Sequence, residues 1–309
     1  MTLDIRGIMK EKINKLKAQL TGGVTPAMAT PLQADGYTVN TAVIPLLADF
    51  LIDAGVRGLF VGGTTGEGVL LTAEERMRLH EATMAAANGR VPVILHIGTN
   101  RLDTAVALAR HAAETGADGI AAVTPYFYGM DDEGLAAYYH TLAEVVPDVP
   151  LLLYDIPQMA TNGISPELLA RLGNSIPSLA GVKCSRGDAQ FIRRLLAVAP
   201  EQLVVLVGNE AIALGSLAMG AHGLISGLST AVPEPFVALS RAFANGDMAE
   251  AQRQHRLINR LLPILPAGAR IGGIKQILTA RGIEMGTAVP PRPMPEYAIW
   301  PLMEAILKE

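Results

Sequence analysis

Three short stretches carry residue types able to do covalent chemistry. "GVKCSRGD" (181–188) sets Lys183 directly behind the apolar run Leu179–Val182. "LLLYDIP" (151–157) sets Tyr154 behind three leucines, and "GGTTGEG" (62–68) sets Thr64 and Thr65 in a glycine-rich turn behind "LFV". An ammonium at the end of a buried run is costly to desolvate. A lysine there either snorkels its head into water or is kept as an amine that can attack a carbonyl. Each stretch alone has a plain reading: a strand-end lysine, a core tyrosine with a backbone partner, a tight turn. Together they supply a lysine nucleophile, a phenol for proton transfer and a turn whose N–H groups and two adjacent hydroxyls suit a small carboxylate.

Other chemistries find less support. The turn lacks the G-x-G-x-x-G spacing of a dinucleotide site, and no G-x-x-x-x-G-K-[ST] occurs anywhere. No two of the six histidines (80, 96, 111, 140, 222, 255) stand four residues apart, as a helical metal-binding pair requires. The expected chemistry therefore needs neither a metal nor an organic cofactor.

Groups this far apart in the chain meet only if the elements carrying them end on one face. Eight short apolar runs alternate with amphipathic stretches: 21–27, 57–63, 91–98, 118–125, 149–157, 179–185, 203–209 and 221–227. Strands apolar on both faces, each followed by a helical pattern, predict a parallel sheet covered by helices. Eight units predict an α/β fold of the closed (β/α)8 type, a TIM barrel, with its chemistry at the C-terminal strand ends. "TAEERMRLHEATMAAANG" opens with Thr72 and has Glu75 three residues on, the signature of a capping box. The barrel is expected over 20–245. Residues 246–309 read as a C-terminal helical appendix with a proline-rich connector. Residues 1–19 read as an amphipathic helix, its apolar positions Ile5, Ile8, Met9, Ile13, Leu16 and Leu20 at helical spacing, packed on the barrel or on a neighbouring subunit.

Composition narrows the class further. At 50% hydrophobic and 17% charged, the 309 residues can bury a large core, and a net charge of −4 offers no basic surface for nucleic acid. No apolar stretch approaches the roughly 20 residues of a membrane span. A single cysteine, Cys184, fits a reducing cytoplasm.

"GTTGE" (63–67), "TPY" (124–126), "YDIP" (154–157), "GVK" (181–183) and "AHGLIS" (221–226) together closely resemble the dihydrodipicolinate synthase / N-acetylneuraminate lyase superfamily, in order and over nearly the whole chain. The resemblance implies that Lys183 is the Schiff-base lysine and Tyr154 the proton-shuttling phenol. Thr64 and Thr65 are implied to bind the pyruvyl carboxylate, and Ile225 to line the pocket with its backbone. It also implies a homotetramer, a dimer of dimers, acting on pyruvate and an aldehyde.

Two departures bear on the aldehyde. Met159 stands where lysine-pathway synthases carry an arginine for the carboxylate of aspartate semialdehyde, and Phe127 where they carry a second tyrosine. Cys184 replaces an acidic residue often found after the lysine. The expected enzyme is a pyruvate-dependent class I aldolase acting on a 2-keto-3-deoxy sugar acid, with a neutral hydroxy-aldehyde as the other partner. The synthase, the sialic acid lyase and a keto-deoxy-sugar-acid dehydratase are the alternatives within the same chemistry, and a 2-oxo acid-binding sensor barrel is the alternative outside it. Arg186, in the loop after the lysine strand, is the nearest substitute cation for the aldehyde if it turns into the pocket, although a loop arginine at that position reads first as solvated on the surface.

Overall fold

The structure, a computed structural model, describes residues 5–309, and side chains from residue 7 onward; the first four residues of the expected N-terminal helix lie outside it. Eight strands follow one another: β1 (Val24–Pro26), β2 (Leu59–Val61), β3 (Val93–His96), β4 (Gly119–Val123), β5 (Leu151–Asp155), β6 (Leu179–Cys184), β7 (Val204–Val207) and β8 (Gly223–Ser226). All pair in parallel in the order β1-β8-β7-β6-β5-β4-β3-β2. The ring closes between β1 and β2 through the parallel Ala27–Phe60 bridge, with the Met28 N–H donating to the Phe60 carbonyl at 2.8 Å. Each strand lies within one of the eight expected runs.

The connecting helices are α2 (Ile44–Asp53), α3 (Ala73–Ala87), α4 (Leu102–Glu114), α5 (Asp132–Val145), α6 (Pro157–Ala160), α7 (Pro166–Ser175), α8 (Ala189–Val198), α9 (Ala213–Ala218) and α10 (Glu234–Ala244). Thr72 caps α3 by accepting the Glu75 N–H at 3.2 Å. The Glu75 carboxylate does not close the box. It accepts the Val39 N–H at 2.6 Å, because that loop amide competes for it.

Two cores result from the alternation of side chains along each strand. Leu151 and Leu153 of β5 face outward to the helices, while Leu152 and Tyr154 face inward with Phe60, Ile94, Ala121 and Ile225. The helix α1 (Ile5–Leu20) seals the bottom of this inner core. Met9, Ile13, Leu16 and Leu20 join the barrel interior, Leu20 against Gly58 just before β2 and Leu16 against Gly119 at the start of β4. Ile8 turns outward instead. Helices α11 (Met248–Leu261), α12 (Arg270–Ala280) and α13 (Trp300–Leu307) share the outer core through Ile258, Leu261, Ile274, Ile277 and Met303.

One irregularity decides which way Lys183 points. Leu151 pairs with Leu179 but Leu152 pairs with Gly181, so Ala180 is an extra residue on β6. Strict alternation from the outward Leu179 would turn Lys183 outward. The bulge resets the phase, so that Val182 and Cys184 face the helices and Lys183 pairs with the inward Tyr154. Gly181 permits this, since a Cβ there would come 2.1 Å from the Val204 carbonyl oxygen. We therefore expect Gly181→Ala to destabilise the protein by about 1–3 kcal/mol, the usual cost of overpacking, read as a lower urea midpoint. A wild-type midpoint would show that β6 tolerates a side chain at the bulge.

Candidate active site

Lys183, Tyr154, Thr64, Thr65 and Ile225 all meet on one cavity of about 330 Å³ at the C-terminal end of the barrel. Lys183 is buried, its Nζ 4.1 Å from the centroid of the Phe60 ring and 4.0 Å from that of Tyr154. Burial holds its amine below the ordinary lysine value, against the opposing pull of the Tyr154 hydroxyl and the Glu210 carboxylate. A Cβ on Gly208 would stand 3.4 Å from Lys183 Cε and 2.4 Å from Ser185 Oγ, so the bare glycine leaves room beside the lysine stem.

The Tyr154 ring is gripped edge-on by Phe60 (centroids 5.6 Å apart) and His96 (5.7 Å). Its hydroxyl lies 2.9 Å from Thr64 Oγ1, which links the phenol to the glycine-rich turn. That turn is tightly folded: the Glu67 N–H donates to the Thr64 carbonyl at 3.1 Å and the Thr30 hydroxyl to the Gly66 carbonyl at 2.6 Å. Among the described residues the N–H groups of Thr64 and Thr65 take no internal hydrogen bond, which leaves them for a ligand. Ile225, buried on β8, forms the wall beside Thr25 of β1.

Arg186 does not enter the cavity. Its guanidinium grips the buried Asp155 with Nε and Nη2 at 2.7 and 3.1 Å and stacks 3.8 Å over the Phe191 ring. A bidentate partner one strand away outcompetes the open pocket. Met159 does line the mouth, 64% exposed, whereas Phe127 stands apart from it, 78% exposed and with φ of 76°. The Cys184 thiol faces away, near Asp155, and burial pushes it up to about 12.

Several cavity residues escape the sequence reading. Asn209 and Glu210 follow β7, and Glu210 accepts the Ser226 hydroxyl at 2.9 Å and the Leu228 N–H at 2.7 Å. Arg270 from α12 pairs with Glu210 at 2.7 Å, and Arg292 comes from the proline-rich connector. "GNE" at the end of an apolar run carries the same strand-end signal as Lys183 and could have been found by it. Arg270 and Arg292 carry none.

Such a site, a buried amine and a phenol at the mouth of a closed barrel, fits a lyase of the Schiff-base type. The comparisons with known proteins agree: residues 20–307 match the model of the dihydrodipicolinate synthetase family. The 4-hydroxy-tetrahydrodipicolinate synthase of Salinibacter ruber is 37% identical over 289 residues, 92% of this chain and 93% of that protein. Among solved structures, the wild-type sialic acid aldolase of Ruminococcus gnavus superposes with a TM-score of 0.89 at 26% identity, covering 94% of this chain and 98% of that one. YagE, a prophage protein of E. coli K12 solved in complex with pyruvate, gives 0.86 at 27% identity, covering 93% and 97%. The chain belongs to the dihydrodipicolinate synthetase family. It is a class I aldolase, a carbon–carbon lyase working through a lysine Schiff base. Among the described residues no helix is long and apolar enough to cross a membrane.

Behind the site, two histidines are buried and neutral. The contacts of His96 fit an Nδ1–H donating to the Gly62 carbonyl at 3.0 Å and an Nε2 accepting the Val123 N–H at 3.3 Å. Burial first, then the nearby Arg76, holds both His80 and His96 well below the ordinary histidine value. As pH falls through about 6.5 the unfolded chain takes up protons that the folded chain refuses, so stability present above that pH is lost below it. We expect unfolding stability to fall between pH 6.5 and 5.5 with a slope contribution approaching about 1.4 kcal/mol per pH unit for each histidine. Urea midpoints across this range, with His80→Gln removing one contribution, test it; a flat profile would show that the two rings take up protons in the fold as readily as in the unfolded chain.

Proposed function

We propose that Lys183 is the Schiff-base lysine of this enzyme and that its substrate is a 2-keto-3-deoxy sugar acid, split to pyruvate and a neutral hydroxy-aldehyde. The observation that carries the first part is the Lys183 amine held between two aromatic rings, deprived of hydration beside the Tyr154 hydroxyl. The neutral amine attacks the C2 keto carbon, and Tyr154 passes a proton to the departing oxygen, so that loss of water leaves an iminium. Tyr154 then takes the proton of the C4 hydroxyl as the C3–C4 bond breaks, and its electrons move into the iminium to give an enamine. Release of the aldehyde, protonation at C3 and hydrolysis return pyruvate and the free lysine. The Thr64 and Thr65 N–H and hydroxyl groups hold the carboxylate, and Thr64 stays in reach of the phenol. The buried lone cysteine, Cys184, supports a cytoplasmic setting.

The second part is supported by the wall facing the aldehyde. Met159 offers no donor, Arg186 is held by Asp155, and Arg270 is neutralised by Glu210. Ser185, Asn209 and Glu210 leave a polar surface suited to hydroxyls. The competing reading, condensation of pyruvate with aspartate semialdehyde, is favoured by the name of the Salinibacter relative.

Borohydride reduction with pyruvate is expected to leave one reduced pyruvyl group on Lys183. An adduct on Lys275, which is buried against Glu67, would refute the assignment. Tyr154→Phe should lower kcat by roughly 10²-fold or more with a smaller change in KM, the pattern of lost proton transfer. Between the two substrates, kcat/KM with pyruvate saturating is expected to be higher for glyceraldehyde than for aspartate semialdehyde. A tenfold preference the other way, on the order of 1.4 kcal/mol, would replace the sugar-acid reading by the synthase one.

A further inference from the structure

Every 2-oxo acid brings a carboxylate into this cavity, and an anion leaving water calls for a counter-charge. Three basic side chains line the cavity among the described residues: Lys183, Arg270 and Arg292. Lys183 must be a neutral amine to attack, so it supplies no charge as the acid enters. Arg270 is committed to Glu210, 2.7 Å away. Arg292 differs. Its acidic neighbour among the described residues is Glu67, and the separation, Nε to Oε1, is 3.8 Å. That carboxylate is already met by Lys275 Nζ at 2.7 Å and by the Val289 N–H at 2.9 Å. One anion therefore faces two cations, and the surplus positive charge sits on a side chain 36% exposed. Arg292 lines both the main cavity and a side pocket of about 130 Å³, and Thr64 lies on both as well.

We propose that Arg292 is the specificity-determining cation for the 2-oxo acid, leaving its long contact with Glu67 to pair with the incoming carboxylate on the Thr64 side of the cavity. This rests on the reading that the cavity binds a 2-oxo acid as an imine at Lys183. A separation of 3.8 Å is beyond a hydrogen bond, so little is lost when Arg292 moves, and the Glu67–Lys275 pair stays in place. A charge at a cavity mouth also concentrates anions before they dock, in a salt-dependent way. The contribution falls on capture of the acid and not on the C–C bond.

The test compares pyruvate with its uncharged methyl ester in the wild type, Arg292→Gln and Arg292→Lys. It reads borohydride-trapped adduct by intact mass against ketone concentration and ionic strength. Arg292→Gln is expected to cut the preference for pyruvate over the ester by about tenfold, through the concentration dependence and not the saturating rate, and to flatten the salt dependence. Arg292→Lys keeps the charge and should retain most of the preference. An unchanged preference in Arg292→Gln, or an equal loss for both ketones, overturns the proposal, the second outcome showing a merely structural arginine. A wild type that traps neither ketone removes the Schiff-base reading itself, and the proposal with it.

Discussion

An amine stripped of water inside a closed barrel is the constraint on which the rest of this structure depends. The faces of Phe60 and Tyr154 return part of the lost hydration to an ammonium, on the order of 1–2 kcal/mol in a desolvated setting. The remainder appears as a pKa held below the usual lysine value, which is what a nucleophile needs. The surrounding features keep that amine dry and aimed. The Ala27–Phe60 bridge closes the wall, α1 seals the floor with Leu16 and Leu20, and the bulge at Ala180 turns the side chain inward.

A second constraint ties the glycine-rich turn of Thr64 and Thr65 to chain more than two hundred residues away. Glu67 is a buried non-glycine residue at φ of 55°, a left-handed conformation that costs energy and persists only where its surroundings impose it. Here the Lys275 ammonium and the Val289 N–H impose it, and Lys275 is held in turn by the Thr287 carbonyl at 2.7 Å. Buried ion pairs are poor sources of net stability, because desolvation offsets the attraction. Their use is positional. With Glu67 fixed by α12 and the connector, Thr64 and Thr65 have little freedom, and the phenol that meets Thr64 is fixed with them.

Where a signal was local it was legible. The eight strands stood out because each is a β-branched or leucine-rich run bounded by Gly, Pro or Asn, and Lys183 and Tyr154 because polar groups behind such runs are rare. Ile225 came only through the family resemblance, since an isoleucine on a strand has nothing to distinguish it from core. The inward aim of Lys183 was not legible: it depends on one extra residue, Ala180, and on the close approach of Val204 to Gly181. By position alone Arg186 read first as a solvated loop arginine and second as a pocket cation. Its fate was decided by Asp155, whose side chain no strand-level pattern could place. Arg270 and Arg292 sit in helical and proline-rich sequence with no periodic or strand-end mark, and only folding brings them over the barrel mouth.

The cavity is consequently built from two sources with different tolerances. Its reacting side comes from β2, β5 and β6, where Lys183, Tyr154 and the threonines are locked by strand register, ring packing and the Glu67 network. The side proposed to face the second substrate comes from Met159, Asn209, Glu210 and Arg270, on the short helix α6, a loop, a 3-10 turn and the start of α12. Substitutions there leave the register of the barrel alone, because none of these side chains is part of the inner core. An amine of fixed geometry behind an exchangeable wall lets one imine chemistry serve different aldehydes. The same arrangement is consistent with closely superposing structures at 26–27% identity carrying different substrate names. On the proposed function, the aldehyde is set by residues such as Met159 and Glu210 and the imine chemistry by Lys183 and Tyr154, so a change in one can occur without loss of the other.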